Sequence, residues 1–345
     1  MTKTFISILL LGLFHFSLQA QSSRDTDDAD MKKIFNQAVI AIKSNQYDQA
    51  LNFLNKIILQ NSGFINAYNE RGKIYLVRNN LKEAIADFDR AILLNPELGE
   101  SYFGRGYAAF LNKIYDKAFD DISLSIAKGY TEYTAYYYKG ILNLMKNDAN
   151  AALLNFTFCL DKKANFAEAY QDRGSAKFIL KDLSGAIVDY QMAIQLKPGY
   201  ALAYANMGSV KKELGDYQSA IEAYSSSLLY DSTQINVWNK RGVAKYLSGD
   251  INGAQSDFTQ ALKLNPNYLF SINNQAVVSA KNENNSEALK YMNNVIKAQP
   301  QKGEYYINRG YLKELSGDLG GACLDWKMAD SLKIQEAKIY LKDCK

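Results

Sequence analysis

The residues that could do chemistry in this chain are few. The only histidine, His15, lies in an apolar N-terminal run, and the cysteines number 3. Paired carboxylates in one cleft could serve as acid and base. Glu100, Glu168 and Asp172 are the acids that fall near one face of the chain. No nucleophile motif, phosphate loop or metal-binding cluster accompanies them. The expectation is a chain without catalytic activity, without a metal and without a cofactor.

The apolar run explains why His15 does not count. Lys3 supplies a positive start, Phe5 to Leu18 carries no formal charge, and Ala20 offers a small residue at the end. The run is too short for a comfortable membrane span. Residues 1–20 therefore read as a signal peptide, similar to bacterial secretory signals that leave Gln, here Gln21, as the new N-terminus. Cleavage would leave a mature chain with no histidine, which removes Ser-His and Cys-His catalysis and His-ligated metals. It also implies a periplasmic or extracellular location, with no stable membrane insertion afterwards. Residues 21–30 (QSSRDTDDAD) are polar and acidic and read as an exposed linker. The net charge of +4 is too small to point to nucleic acid, and charged residues at 22% against apolar residues at 48% argue against disorder.

From Met31 one pattern recurs every 34 residues without insertion, in units starting at 31, 65, 99, 133, 167, 201, 235, 269 and 303. Position 20 is Ala in all nine units, and position 8 is Gly in seven and Ala in two. Position 4 is aromatic in seven units, position 24 is always apolar or aromatic, and all 4 prolines fall at position 32. Positions 4, 8 and 11 share one face of a helix, as do 20, 24 and 27 of a second. Small residues at 8 and 20 let the two backbones approach, with large residues at 4 and 24 filling the wider ends. Asp148, Asp182, Asp216, Asp250 and Asp318 at position 16 suit the N-cap of the second helix. Gly215, Gly249 and Gly317 just before three of them suit the end of the first.

This pattern closely resembles the tetratricopeptide repeat family. The resemblance covers residues 31–336 and implies an all-α fold. It implies a right-handed superhelical α-solenoid of nine 34-residue helix-turn-helix repeats (31–64, 65–98, 99–132, 133–166, 167–200, 201–234, 235–268, 269–302 and 303–336) with a concave groove. Residues 337–345 would form a C-terminal capping helix, with Ala337, Tyr340 and Cys344 at positions 1, 4 and 8 of a truncated tenth unit.

Two positions vary together. Position 7 is Arg in five units (Arg71, Arg105, Arg173, Arg241, Arg309), and position 23 is Asp in the same five (Asp87, Asp121, Asp189, Asp257, Asp325). The other four units lack both, as in Met207 with Ala223. Correlated presence and absence within one chain predicts an ion pair across each hairpin, a structural role and not a ligand site.

The side of the first helix left over, at positions 2, 5, 9, 12 and 13, faces the groove by resemblance. In the third and fourth units it is apolar, with Phe103, Tyr107, Phe110 and Leu111 followed by Tyr137, Ile141, Leu144 and Met145; Phe178 and Ile179 extend it into the fifth. A contiguous apolar patch asks for a partner. Asparagines at or beside this face, among them Asn239 and Asn273, could hold an extended peptide by its backbone. The function expected is an interaction scaffold for a peptide or protein segment, with no nucleic acid. The alternative is carbohydrate or cell-wall binding through groove aromatics such as Tyr107 and Tyr137. An oxidising compartment permits a disulfide between Cys323 and Cys344. Position 8 ordinarily points at a following helix that is missing here, so the sequence leaves that bond open.

Overall fold

The structure, a computed structural model, describes residues 29–344. The expected signal peptide with His15 and residues 21–28 of the expected linker lie outside the described residues. Ala29 and Asp30, read from sequence as the end of the linker, are already helical.

Among the described residues there are helices and no strands. They divide into two compact units that meet in sequence at Lys163 and Ala164. The first unit holds α1 (29–43), α2 (Tyr47–Gln60), α3 (Ile65–Val77), α4 (Leu81–Leu94), α5 (Gly99–Leu111), α6 (Tyr115–Ala127), α7 (Tyr133–Met145) and α8 (Ala149–Lys162). The second holds α9 (Ala167–Ile179), α10 (Leu183–Leu196), α11 (Ala201–Glu213), α12 (Tyr217–Tyr230), α13 (Ile235–Leu247) and α14 (Ile251–Leu264). It continues through α15 (Leu269–Lys281), α16 (Asn285–Ala298), α17 (Gly303–Leu315), α18 (Leu319–Ser331) and α19 (Ala337–Tyr340). In each unit every hairpin packs its two helices together and its second helix on the first helix of the next hairpin. Each is therefore an all-α stack of helix pairs.

The turn inside each hairpin has one geometry. Position 15 takes a positive φ in all nine pairs, from 58° at Asn45, Asn79 and Glu283 to 91° at Gly249. Glycine adopts this conformation without a Cβ penalty, and Asn tolerates it. The next residue then caps the second helix. Asp148, Asp182, Asp216, Asp250 and Asp318 each accept a backbone N–H three residues on, at 2.8–3.1 Å. Each such cap contributes about 1 kcal/mol.

The core of each hairpin is narrow at position 20, where all nine alanines are 0% exposed. Position 24 is buried throughout, from Leu54 to Trp326. The glycine at position 8 has a different purpose from the one expected. At six of the seven glycines the missing Cβ seats the ring at position 24; only Gly106, opposite Ile122, admits the facing backbone as expected. A Cβ on Gly72 would lie 2.9 Å from Phe88.

The C-terminal cap is shorter than a first helix. It is one turn, Ala337–Tyr340, followed by a 3-10 turn at Leu341–Asp343. Short helices gain little from backbone bonds alone. Tyr340 stacks on Trp326, with centroids 5.2 Å apart, and Cys344 is bonded to Cys323 with Cα atoms 5.7 Å apart. Cys159 is a free, fully buried thiol.

Candidate functional site

Position 7 fixes each Arg on the inner side of a first helix, opposite position 23. All five guanidinium groups bind their Asp through two parallel bonds of 2.6–2.9 Å, from Nε and Nη2. In three units a lysine at position 11 adds to the same carboxylate: Lys177 on Asp189, Lys245 on Asp257 and Lys313 on Asp325, at 2.9–3.1 Å. Each guanidinium also lies 4.8–5.7 Å from the ring centroid at position 4. One feature escaped the sequence reading. The remaining nitrogen, Nη1, reaches position 25 of the preceding hairpin: Arg71 to Asn55, Arg105 to Asp89, Arg241 to Ser225 and Arg309 to Asn293, at 2.6–2.9 Å. These charges are occupied and hold the scaffold.

In the first unit the expected apolar patch closes on itself. Phe103 stacks on Tyr107 and Tyr130, with centroids 6.1 and 5.0 Å apart. Tyr138, at position 6 and not singled out from sequence, is the hub. It contacts Tyr107 at 4.7 Å, Phe110 at 5.1 Å and Tyr137 at 5.4 Å. Its phenol is held well above the usual range by burial and by the hydrogen bond with Tyr107. Tyr137 also meets Phe156 at 6.0 Å. Of the eight expected residues here, six, including Ile141 and Leu144, are half-buried. The more open apolar positions are at the rim, Leu111 and Met145. Glu100 pairs with Lys73 at 2.6 Å, which also holds Glu70 at 2.7 Å. Burial pulls the Lys73 ammonium down, but these two hydrogen bonds outweigh it and raise its pKa.

In the second unit Phe178 is half-buried against the cluster of Ala186, Tyr190 and Val210. It belongs to the seam between two hairpins. The asparagines sit on the open side and link successive first helices. Asn239 accepts from Ser271 at 3.0 Å and from Asn274 at 2.9 Å. Asn308 donates to Asn273 at 3.4 Å. Part of this is structural: in the first unit Ser101 donates to the buried Asn69 in the same way, at 2.7 Å. Beside the row a cavity of about 320 Å³ opens between α13, α15 and α17, lined by Tyr246, Val277, Met292, Asn308, Tyr311 and Leu315. A smaller one of about 120 Å³, lined by Val243, Tyr246, Asn274 and Val277, adjoins it. Further along, Lys240 crosses from α13 to α11 and donates to Ser209 at 3.1 Å. Burial, reinforced by Lys212, holds its ammonium below the ordinary value. The cavity and the lysine were not found from sequence. Their signal is the row at positions 6, 9 and 12, which in α13 reads Lys240, Val243 and Tyr246.

Among the described residues no three metal-ligating side chains gather, and no helix is long and apolar enough to cross a membrane. The tetratricopeptide repeat models match residues 65–98, 201–234 and 235–268, and a TPR repeat model matches residues 174–215. Together with the hairpin stack, these matches define the chain as a tetratricopeptide repeat protein. Among solved structures, one chain of the APC/C hetero-tetramer Cut9-Hcn1 is 17% identical, with 87% of this chain and 59% of that one covered and a TM-score of 0.58. The C-terminal part of a TPR repeat-containing protein from Cytophaga hutchinsonii is 20% identical, covering 69% and 99%, with a TM-score of 0.56. YrrB, described as a TPR protein with an unusual peptide-binding site, is 20% identical, covering 53% and 95%, with a TM-score of 0.50. No curated protein matches the chain.

Proposed function

We propose that the protein is a non-enzymatic interaction scaffold, exported to the periplasm or beyond the cell, that holds a peptide or protein segment against the first helices of its repeats. The observation that carries this is the open side of the second unit, where the 320 Å³ cavity adjoins a row of asparagines. A pocket of this size takes one or two large side chains and lies at the small end of ligand sites. Each Asn amide offers both donors and an acceptor, as a peptide backbone does. YrrB, with the same fold, is described as binding a peptide. The carbohydrate reading relied on Tyr107 and Tyr137 as stacking platforms, and both rings are engaged by neighbouring aromatics. Two of the three acids near this face are engaged by lysines, Glu100 by Lys73 and Glu168 by Lys197.

Capture from envelope extract with wild type, with Tyr246→Ala/Tyr311→Ala, and with Phe103→Ala/Tyr107→Ala tests the reading. Identified proteins lost only with the first pair support it. Partners unchanged by both pairs reject the groove. Export is tested by sequencing the secreted protein, whose N-terminus should be Gln21. A chain that stays in the cytosol with residues 1–20 attached overturns it.

A further inference from the structure

The open side of the second unit carries unbalanced charge beside its cavity. Lys240 is half-buried with Ser209 as its recorded hydrogen-bond partner, and Ser209 in turn accepts from Tyr224 at 3.2 Å. Lys212 lies within electrostatic range of Lys240. Among the described residues neither lysine forms an ion pair, although nine other lysines and all five position-7 arginines do. The nearby carboxylates are turned elsewhere: Glu213 holds Lys181 at 2.6 Å, and Asp216 caps α12. Lys281, which lines the cavity itself, forms no ion pair among the described residues either, so cations without a counter-charge gather on this side. Burying an ammonium without a counter-charge is costly, so retaining one argues for an anion supplied from outside.

Position and spacing narrow the ligand. Lys240, Val243 and Tyr246 run along one side of α13, so the ammonium and the cavity share a helix. From Lys240 to Tyr246 is roughly 9 Å along the axis, at ~1.5 Å per residue. From Tyr246 the cavity continues past α15 to Tyr311 on α17. Fully extended peptide covers about 3.3 Å per residue, so three to four residues span the gap. Asn239, Asn274 and Asn308 lie along the way to meet backbone groups. We infer that the groove takes an extended acidic peptide, with one large apolar side chain in the cavity and a carboxylate three or four residues away on Lys240 and Lys212. This rests on the peptide-binding reading above and specifies its ligand.

The test is selection of random twelve-residue peptides displayed on phage against the purified full-length protein, followed by titration of the enriched sequences as synthetic fluorescent peptides. The expected result is enrichment of Phe, Leu, Tyr or Met with Asp or Glu three or four residues away. Replacing that acid with its amide, or making Lys240→Gln/Lys212→Gln in the protein, should each weaken binding about tenfold, the typical weight of a charge-assisted hydrogen bond. The two changes together should weaken it little further, since they remove the same contact. Circular dichroism of the variant checks that it folds. Tyr311→Ala should also weaken binding while leaving its salt dependence intact. Enriched peptides that lack an acid, or whose affinity ignores the lysine changes, overturn the inference and leave the peptide-binding reading standing. Failure to enrich any peptide overturns both.

Discussion

Asp257→Ala should destabilise the second unit by about 3 kcal/mol, and most of that loss should vanish when Arg241 is already Met. Asp257 is 2% exposed and accepts three bonds: Nε and Nη2 of Arg241 at 2.8 and 2.7 Å, and Nζ of Lys245 at 3.1 Å. Removing one member of a buried pair costs about 3–5 kcal/mol, because the partner charge stays behind. Arg241 and Lys245 keep 15% and 18% exposure, and Arg241 retains Ser225 at 2.9 Å and the Trp238 ring at 4.8 Å. Both cations can thus draw on water or remaining partners, which places the cost at the low end of the range. In the Arg241→Met background only Lys245 remains on Asp257. The same Asp257→Ala change should then cost about 1 kcal/mol, the net worth of one modest hydrogen bond. The coupling is therefore about 2 kcal/mol. The chain contains its own double replacement, Met207 with Ala223, one hairpin earlier. Urea unfolding of all four proteins, followed by circular dichroism, measures the cycle. Repeat arrays can depart from two-state behaviour, so exchange of the amides in Ile235–Leu264 should be read alongside. Single costs that add within about 0.5 kcal/mol would refute the contact as an energetic unit.

Gly310→Ala places a Cβ against Nε1 of Trp326 and should cost about 1–3 kcal/mol through overpacking, read from the same urea curves. Lys240→Met should raise the melting temperature at pH 7 while weakening peptide binding. Burial lowers this ammonium's pKa in the folded state, so the unfolded state binds more protons and stability rises with pH towards the ordinary lysine value. Wild-type stability should show that rise between its lowered value and 10.5, and the variant should show less of it. Unfolded, unreduced protein should titrate as one thiol, Cys159, and three after reduction. In the folded protein burial pushes that thiol up to about 12, so alkylation at pH 8 should be negligible. Cys344→Ser removes a crosslink of sequence separation 21 and should lower local stability by up to about 3 kcal/mol, seen as faster exchange at residues 337–344.

The hairpins were legible because their requirements repeat. Ala at position 20 and a large residue at position 24 answer one steric problem nine times over. Arg and Asp appear and disappear together because each is costly without the other. The Nη1 bonds were harder to read, since position 25 accepts through Asn, Asp or Ser and keeps no single letter. The apolar run from Phe103 to Leu144 misled for a different reason. Spacing on one helix gives the face of a residue, but Tyr138 on the next helix decides whether that face stays open. The cavity near Tyr311 was invisible for the converse reason. It is an absence of filling between three helices, and no single residue announces it.

The Nη1 bonds also determine how motion is distributed along the stack. In such an array each hairpin communicates with its neighbours alone. Arg241 and Arg309 tie their hairpins to the preceding ones, and Gln275 does the same through Thr259 at 2.7 Å. Met207 can make no such bond to Gln191. In the first unit the matching joint before Lys139 leaves the Ser123 hydroxyl buried without a partner. Fraying should start at these two joints, while the four hairpins from Ala201 to Leu332 move as one body. The cavity, the asparagine row and both lysines lie on that body. A peptide arriving there would find its contacts already in place, and little of its binding energy would be spent on ordering the receptor.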